Sequence, residues 1–220
     1  MKELLSQKEI MRELTATEMS GKIPEFKNKI IEELNLSGME IKVPLSFEGS
    51  KFLGPVYFNK SVFHSDVNFN FAVFTRVFYL GEARMKGSLN CKGAIIREGA
   101  NLVGAVIEKD LNFESAKIKG FLGLGEIKVL GNVNLKKILL QDLKDVTGTI
   151  RGDIILQRAK VKNIDLEDGI LEGSLDLQEI TIFGQLNLTN LKISETLFLK
   201  KGIIAGKIKI EGLRYKKRVE

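Results

Sequence analysis

The chain repeats a pattern of apolar places every eleven residues. Residues 86–96 are KGSLNCKGAII, and the next two stretches are REGANLVGAVI and EKDLNFESAKI. In each, the fourth, sixth, ninth and eleventh places are apolar or small. The frame runs from Ile31 to Tyr215 as seventeen units, fifteen of eleven residues and two of ten. The fourth and eleventh places are apolar throughout, and the sixth fails only at Asp145. Inward residues are therefore two, three, two and four apart. Steps of two share one face of an extended chain, so the longer steps must be corners. The persistent three-and-four spacing of a helix is absent. The pattern predicts very short parallel strands wound into a solenoid.

Glycine occupies the second place in eight units: Gly54, Gly87, Gly120, Gly131, Gly152, Gly173, Gly184 and Gly206. This predicts a wide corner with positive φ. The two ten-residue units, 141–150 and 162–171, lie two units apart. They stack on each other if one coil holds two units. The expectation is about 22 residues per coil, four short sides and eight and a half coils. At ~4.8 Å per rung the column is roughly 40 Å long.

The core of each unit resembles the pentapeptide-repeat family. Leu89-Asn90-Cys91 with Ala94 and Ile96, and Leu111-Asn112-Phe113 with Ala116 and Ile118, are similar to two consecutive pentads. The fifth place is Asn at 35, 68, 90, 101, 112, 134 and 187 and Asp at 165 and 176, matching that family's polar position. The departure is one extra residue per two pentads. The resemblance implies an all-β fold, a right-handed quadrilateral parallel β-helix. It implies no single function, because such solenoids carry unrelated roles. Members of that family that mimic double-stranded DNA and block topoisomerases are acidic, and this chain is not.

Residues 1–30 fall outside the repeat. Leu4, Leu5, Met11 and Leu14 share one helical face, so residues 2–15 are expected to be an amphipathic helix, with Thr15 and Glu18 capping a second turn. The segment 1–30 is expected to be an N-terminal α-helical cap. The competing assignment makes residues 20–30 a degenerate unit with Gly21, Ile23 and Ile30 in frame. The solenoid is expected over 31–215, followed by a basic tail at 216–220. No comparable cap follows the last coil. Uncovered apolar surface and free strand edges predict a homodimer there, through Leu197, Leu199, Ile208, Ile210 and Tyr215.

Charge sharpens this picture at one end only. The net charge is +6, and residues 200–220 hold eight basic against two acidic side chains, so residues 1–199 are neutral. Lys207, Lys209, Arg214, Lys216, Lys217 and Arg218 are the candidate contacts for an anionic partner. Eight of the thirteen phenylalanines lie between 47 and 78, and all but Phe71 sit at inward places as core filling. Phe71 is expected outside, with Tyr57 and Tyr79 in a sticky patch. One His and one Cys exclude an intramolecular disulfide and an ordinary zinc site. His64 is expected at a surface corner and Cys91 in the core. Asp145 is expected to slip outward in favour of Val146; a buried carboxylate there would mark a functional site.

No phosphate loop, nucleophile elbow or metal motif appears, and no cofactor, metal or small-molecule substrate is expected. A β-helical carbohydrate-active enzyme would need paired carboxylates, and Asp165 and Asp176 fall on opposite sides of a two-unit coil. A bactofilin-like polymer would need two bare ends. The composition fits best a non-catalytic scaffold that binds a macromolecule through its faces or ends. No signal peptide or spanning helix is evident, so cytoplasm is the default compartment.

Overall fold

In most units only places four–five and ten–eleven are extended, so most strands are two residues long. Leu89–Asn90 and Ile95–Ile96 are typical. The computed structural model describes residues 3–20, 23–144 and 146–220. The chain is a right-handed parallel β-solenoid with about 22 residues per turn. Leu89 pairs with Val67 and with Leu111, so neighbours across the rungs are 22 residues apart. Two sixteen-stranded parallel sheets cover the four sides. The shortened units do stack: Leu140 pairs with Val161 and Asp142 with Asn163, a local offset of 21. There the wide corner opens, and Leu139–Lys144 and Lys160–Asp165 run through it as single six-residue strands.

Apart from Gly99, at a third place, positive φ within the repeat falls at the eighth place, not at the glycine-rich second place. Lys60, Phe71, Glu82 and Ser115 have φ of 58–59°, and Gly93 and Gly104 have 65° and 69°. The ninth-place N–H donates back to the sixth-place carbonyl, as Ala94 does to Cys91 at 3.1 Å and Ala116 to Phe113 at 3.0 Å. A single positive φ at the third residue of such a turn is type II geometry. The second-place glycines have a different cause, which is close approach. A Cβ on Gly54 would lie 2.6 Å from the Glu32 carbonyl oxygen in the coil below, and one on Gly173 2.5 Å from that of Gly152.

Polar side chains stitch the corners. Fifth-place Asn and Asp cap the turn that follows: Asn68 accepts from the Asn70 N–H at 2.8 Å, Asn112 from Glu114 at 2.9 Å, and Asp176 from Gln178 at 2.9 Å. A second ladder runs up one wide corner. Asp66 accepts from the Ser88 N–H at 2.7 Å, Asp110 from Asn132 at 2.8 Å, Asn132 from Asp153 at 2.8 Å and Asp153 from Ser174 at 2.7 Å. Each side chain thus satisfies a backbone donor of the next coil.

The interior is one apolar column. Phe47, Phe52, Phe58, Phe63, Phe69, Phe74 and Phe78 are buried, and their rings stack between coils, with Phe47 and Phe69 5.3 Å apart. Val146 is buried at the shortened unit. Asp145 lies outside the described residues.

The two ends differ from the sequence expectation. Leu4–Leu5 is a strand paired with Ile30–Ile31, so the first rung starts inside the expected cap. A helix, Gln7–Ser20, is inserted into that coil. Its capping box is Ser6 with Glu9: the Ser6 N–H donates to Glu9 Oε2 at 2.8 Å and the Glu9 N–H to Ser6 Oγ at 3.4 Å. Thr15 lies within the helix and donates to the Met11 carbonyl. In residues 23–30 the inward side chains are Pro24 and Phe26, the latter stacked on Phe47 at 5.1 Å, while Ile23 is exposed. Gly21 lies outside the described residues. At the other end the chain does not leave the solenoid at Tyr215. Arg214–Val219 is a strand whose Lys217, Arg218 and Val219 pair with Thr196, Leu197 and Phe198. These additions make the column about ten coils.

Candidate interaction surfaces

The N-terminal end is closed by design of its first coil. Helix residues Ile10 and Leu14 are buried against the apolar column. The Gln7 side-chain amide acts as one more rung: its Nε2 donates to the Asn35 carbonyl and its Oε1 accepts from the Asn35 N–H, both at 2.9 Å. The apolar face and the edge at Leu34–Asn35 are thus covered together, while Glu40–Ile41 and Leu45–Ser46 have no described strand on their outer edge.

The C-terminal end is open. Ile208 and Ile210 occupy fourth and sixth places, which are buried in every described unit below except at Leu199, yet they are 52% and 56% exposed. Tyr215 is exposed as well, and Ile204 and Leu213 are half-buried. Of the residues expected on this surface, Leu199 is half-buried, and Leu197, in the same unit, is buried beneath the strand that holds Arg218. The strands Ile203–Ile204, Ile208–Lys209 and Arg214–Val219 have no described strand on their outer edge.

The six basic residues near this end do not form one patch. Lys209 belongs to one sheet, and Arg214, Lys216, Lys217 and Arg218 to the other. Lys216 is paired with Glu195 at 3.3 Å, and Arg218 with Glu220. They ring the rim of the column and surround the apolar end face.

The other singled-out residues are scattered. His64 Nε2 meets Glu40 Oε1 at 2.7 Å, and its Nδ1 lies 3.2 Å from Lys86 Nζ, a side-chain ladder across three coils. Cys91 is fully buried, and that burial pushes its thiol far above the ordinary range. Tyr57 and Tyr79 stack at 5.1 Å on one side. Phe71 is exposed on the corner between Asn68 and Val73, and no described ring contact joins it to them. Asp165 and Asp176 sit in different sheets, as expected. Asp165 instead belongs to a shallow polar groove with Asp142, Asn163, Glu167 and Asn187. Its carboxylates accept from amides, Asp142 from Asn163 at 2.7 Å and Glu167 from Asn187 at 2.8 Å. Among the described residues, no three His, Cys, Asp or Glu side chains gather to hold a metal ion, and no helix is long and apolar enough to cross a membrane.

No protein-family model, curated protein or solved structure matches the chain.

Proposed function

We propose that this protein is a non-catalytic scaffold, of the pentapeptide-repeat-like type, that pairs end to end with a second copy through its last coil. The observation that carries the proposal is the asymmetry of the ends. Inward rows buried along the column surface at Ile208, Ile210 and Tyr215, whereas at the opposite end the helix covers the apolar face. A two-fold contact needs only one open end, and it would cover both the apolar face and the free edges. Head-to-tail polymerisation of the bactofilin kind would have to displace the helix, so it is the weaker alternative. The family likeness is supported by the type II corners and the fifth-place Asx caps. The dispersal of His64, Cys91, Asp165 and Asp176 supports a role in binding over one in catalysis.

Light scattering across a salt series tests the pairing. The rims carry like charge, so salt should tighten the dimer as screening shortens to about 8 Å at physiological strength. Ile208→Glu with Ile210→Glu should give a folded monomer. A wild-type monomer at every salt concentration would sink the proposal.

A further inference from the structure

The coil brings together residues that the sequence keeps 22 apart. On one side, outward positions are the tenth place of even units and the first place of the unit that follows. From Lys51 to Ala205 these number sixteen. Six are cationic: Lys51, Arg97, Lys117, Lys119, Lys160 and Lys162. Six are apolar: Leu53, Val73, Ile95, Leu139, Phe183 and Ile203. The remaining four are Thr75, Gln141, Thr181 and Ala205, and none of the sixteen is acidic. They are consecutive rungs of one surface, because Val73 pairs with Lys51 and Ile95, Lys117 with Ile95 and Leu139, and Leu139 with Lys160. Phe183 and Ile203 are 62% and 64% exposed, and Leu53, Ile95 and Leu139 are exposed too. None of the six cations is in an ion pair among the described residues, although ten such pairs occur elsewhere. Lys117, Leu139, Lys160 and Phe183 line a shallow groove of about 580 Å³.

The corresponding side half a coil away is not single-signed. It holds as many cations, Lys42, Arg84, Lys86, Lys128, Arg151 and Lys192, but mixes them with Glu40, Glu108 and Glu172. Carboxylates border the first side only at its margins: Glu32 at the helical end, Glu98, which is bound to Arg76 at 2.8 Å, Asp142, which accepts from the Asn163 amide at 2.7 Å, and Glu179, which is bound to Arg158 at 2.9 Å.

We infer that this side docks on an anionic lipid bilayer. Interleaved aliphatic and cationic side chains match a membrane interface, where lysines meet anionic headgroups and apolar groups enter the acyl boundary. A nucleic acid would satisfy the cations but leave Leu139 and Phe183 in water. Lysine stems snorkel, so Lys117 and Lys160 can flank Leu139 and still reach headgroup phosphates. The surface spans eight rungs from Lys51 to Ile203, roughly 34 Å at ~4.8 Å per rung, and lies along the column, away from the open end.

The test is flotation of the full chain with vesicles of phosphatidylcholine, with and without about a third phosphatidylserine. Binding should require the anionic lipid and weaken as salt rises. Lys117→Glu with Lys160→Glu should reduce partitioning roughly tenfold or more, while the charge-matched Lys128→Glu with Lys192→Glu should change it little. If the first pair fails to fold, Lys119→Glu with Lys162→Glu replaces it. The protein has no tryptophan, so Phe183→Trp supplies a single tryptophan whose emission should shift to the blue on vesicles. Absence of binding to anionic vesicles, equal binding to neutral ones, equal loss from both charge-reversal pairs, or no blue shift would each overturn the inference. So would tight binding of duplex DNA with none to vesicles, which would assign the side to nucleic acid.

Discussion

A Cβ placed on Gly120 would overlap the carbonyl oxygen of Glu98, one coil below. The coils touch backbone to backbone at this corner, so the residue is fixed by space. Gly120→Ala must spread the rungs and should cost about 3 kcal/mol or more. Gly38 has φ of +70° and open space around it, so Gly38→Ala should cost only about 1–2 kcal/mol of left-handed strain. Denaturant titration of both variants checks the ranking; equal losses would remove the close-approach explanation.

Leu111 and Asn112 point to opposite sides of one strand. Leu111→Asp puts an unpaired charge into the column and should prevent folding. Asn112→Asp keeps the acceptor for the Glu114 N–H and should be nearly neutral, whereas Asn112→Ala should lose about 1 kcal/mol. Thermal unfolding separates the three. Similar midpoints for Leu111→Asp and Asn112→Asp would reverse the assigned facing.

The helix should respond to acid. Hydrogen bonds from the Ser6 backbone and hydroxyl hold the Glu9 carboxyl below its usual range. A lowered folded-state pKa means stabilisation that is present above the ordinary glutamate value, about 4.3, and is lost as pH falls through the lowered one. Glu9→Gln should flatten that acid limb in helical ellipticity. An unchanged limb would deny Glu9 the role.

Cys91 should react with a thiol reagent only after unfolding, because the thiolate is the reactive form and its site is dry. Cys91→Ala should cost about 1 kcal/mol through a small cavity. Labelling of the native protein at the rate of a free thiol would show that the column opens.

The coil was legible because its determinants repeat along the chain: Leu89, Leu111 and Val133 announce their stacking by spacing alone. The corners were only half legible. Glycine marks both close approach and positive φ, and at the second place the first cause holds. The left-handed eighth place carries Lys60, Glu82 and Phe71, which give no such mark. The helix insertion hid the pairing of Leu4 with Ile30, because an insert breaks the period. The cationic side was missed for a related reason. A charge sum over consecutive residues averages all four sides, and residues 1–199 come out neutral while Lys117, Lys160 and Arg97 share one of them. The ladder from Asp66 to Ser174 needed the same comparison at every second unit.

That a coil holds two units gives the protein a parity. Excising residues 89–110 removes one whole turn, and Leu111 takes the place Leu89 held, with every side continuing unbroken. Excising only residues 97–107 also preserves the apolar column, because the inward places of odd and even units are interchangeable. Everything beyond the cut would then be rotated by half a turn. Lys117 and Lys160 would rise above Arg84 on the opposite side, and Lys51 and Ile95 would be left beneath residues of another sheet. The interior does not distinguish the two deletions; the exterior does. Insertions and losses that respect the outside of this molecule therefore come in steps of two units, even though folding alone would accept one.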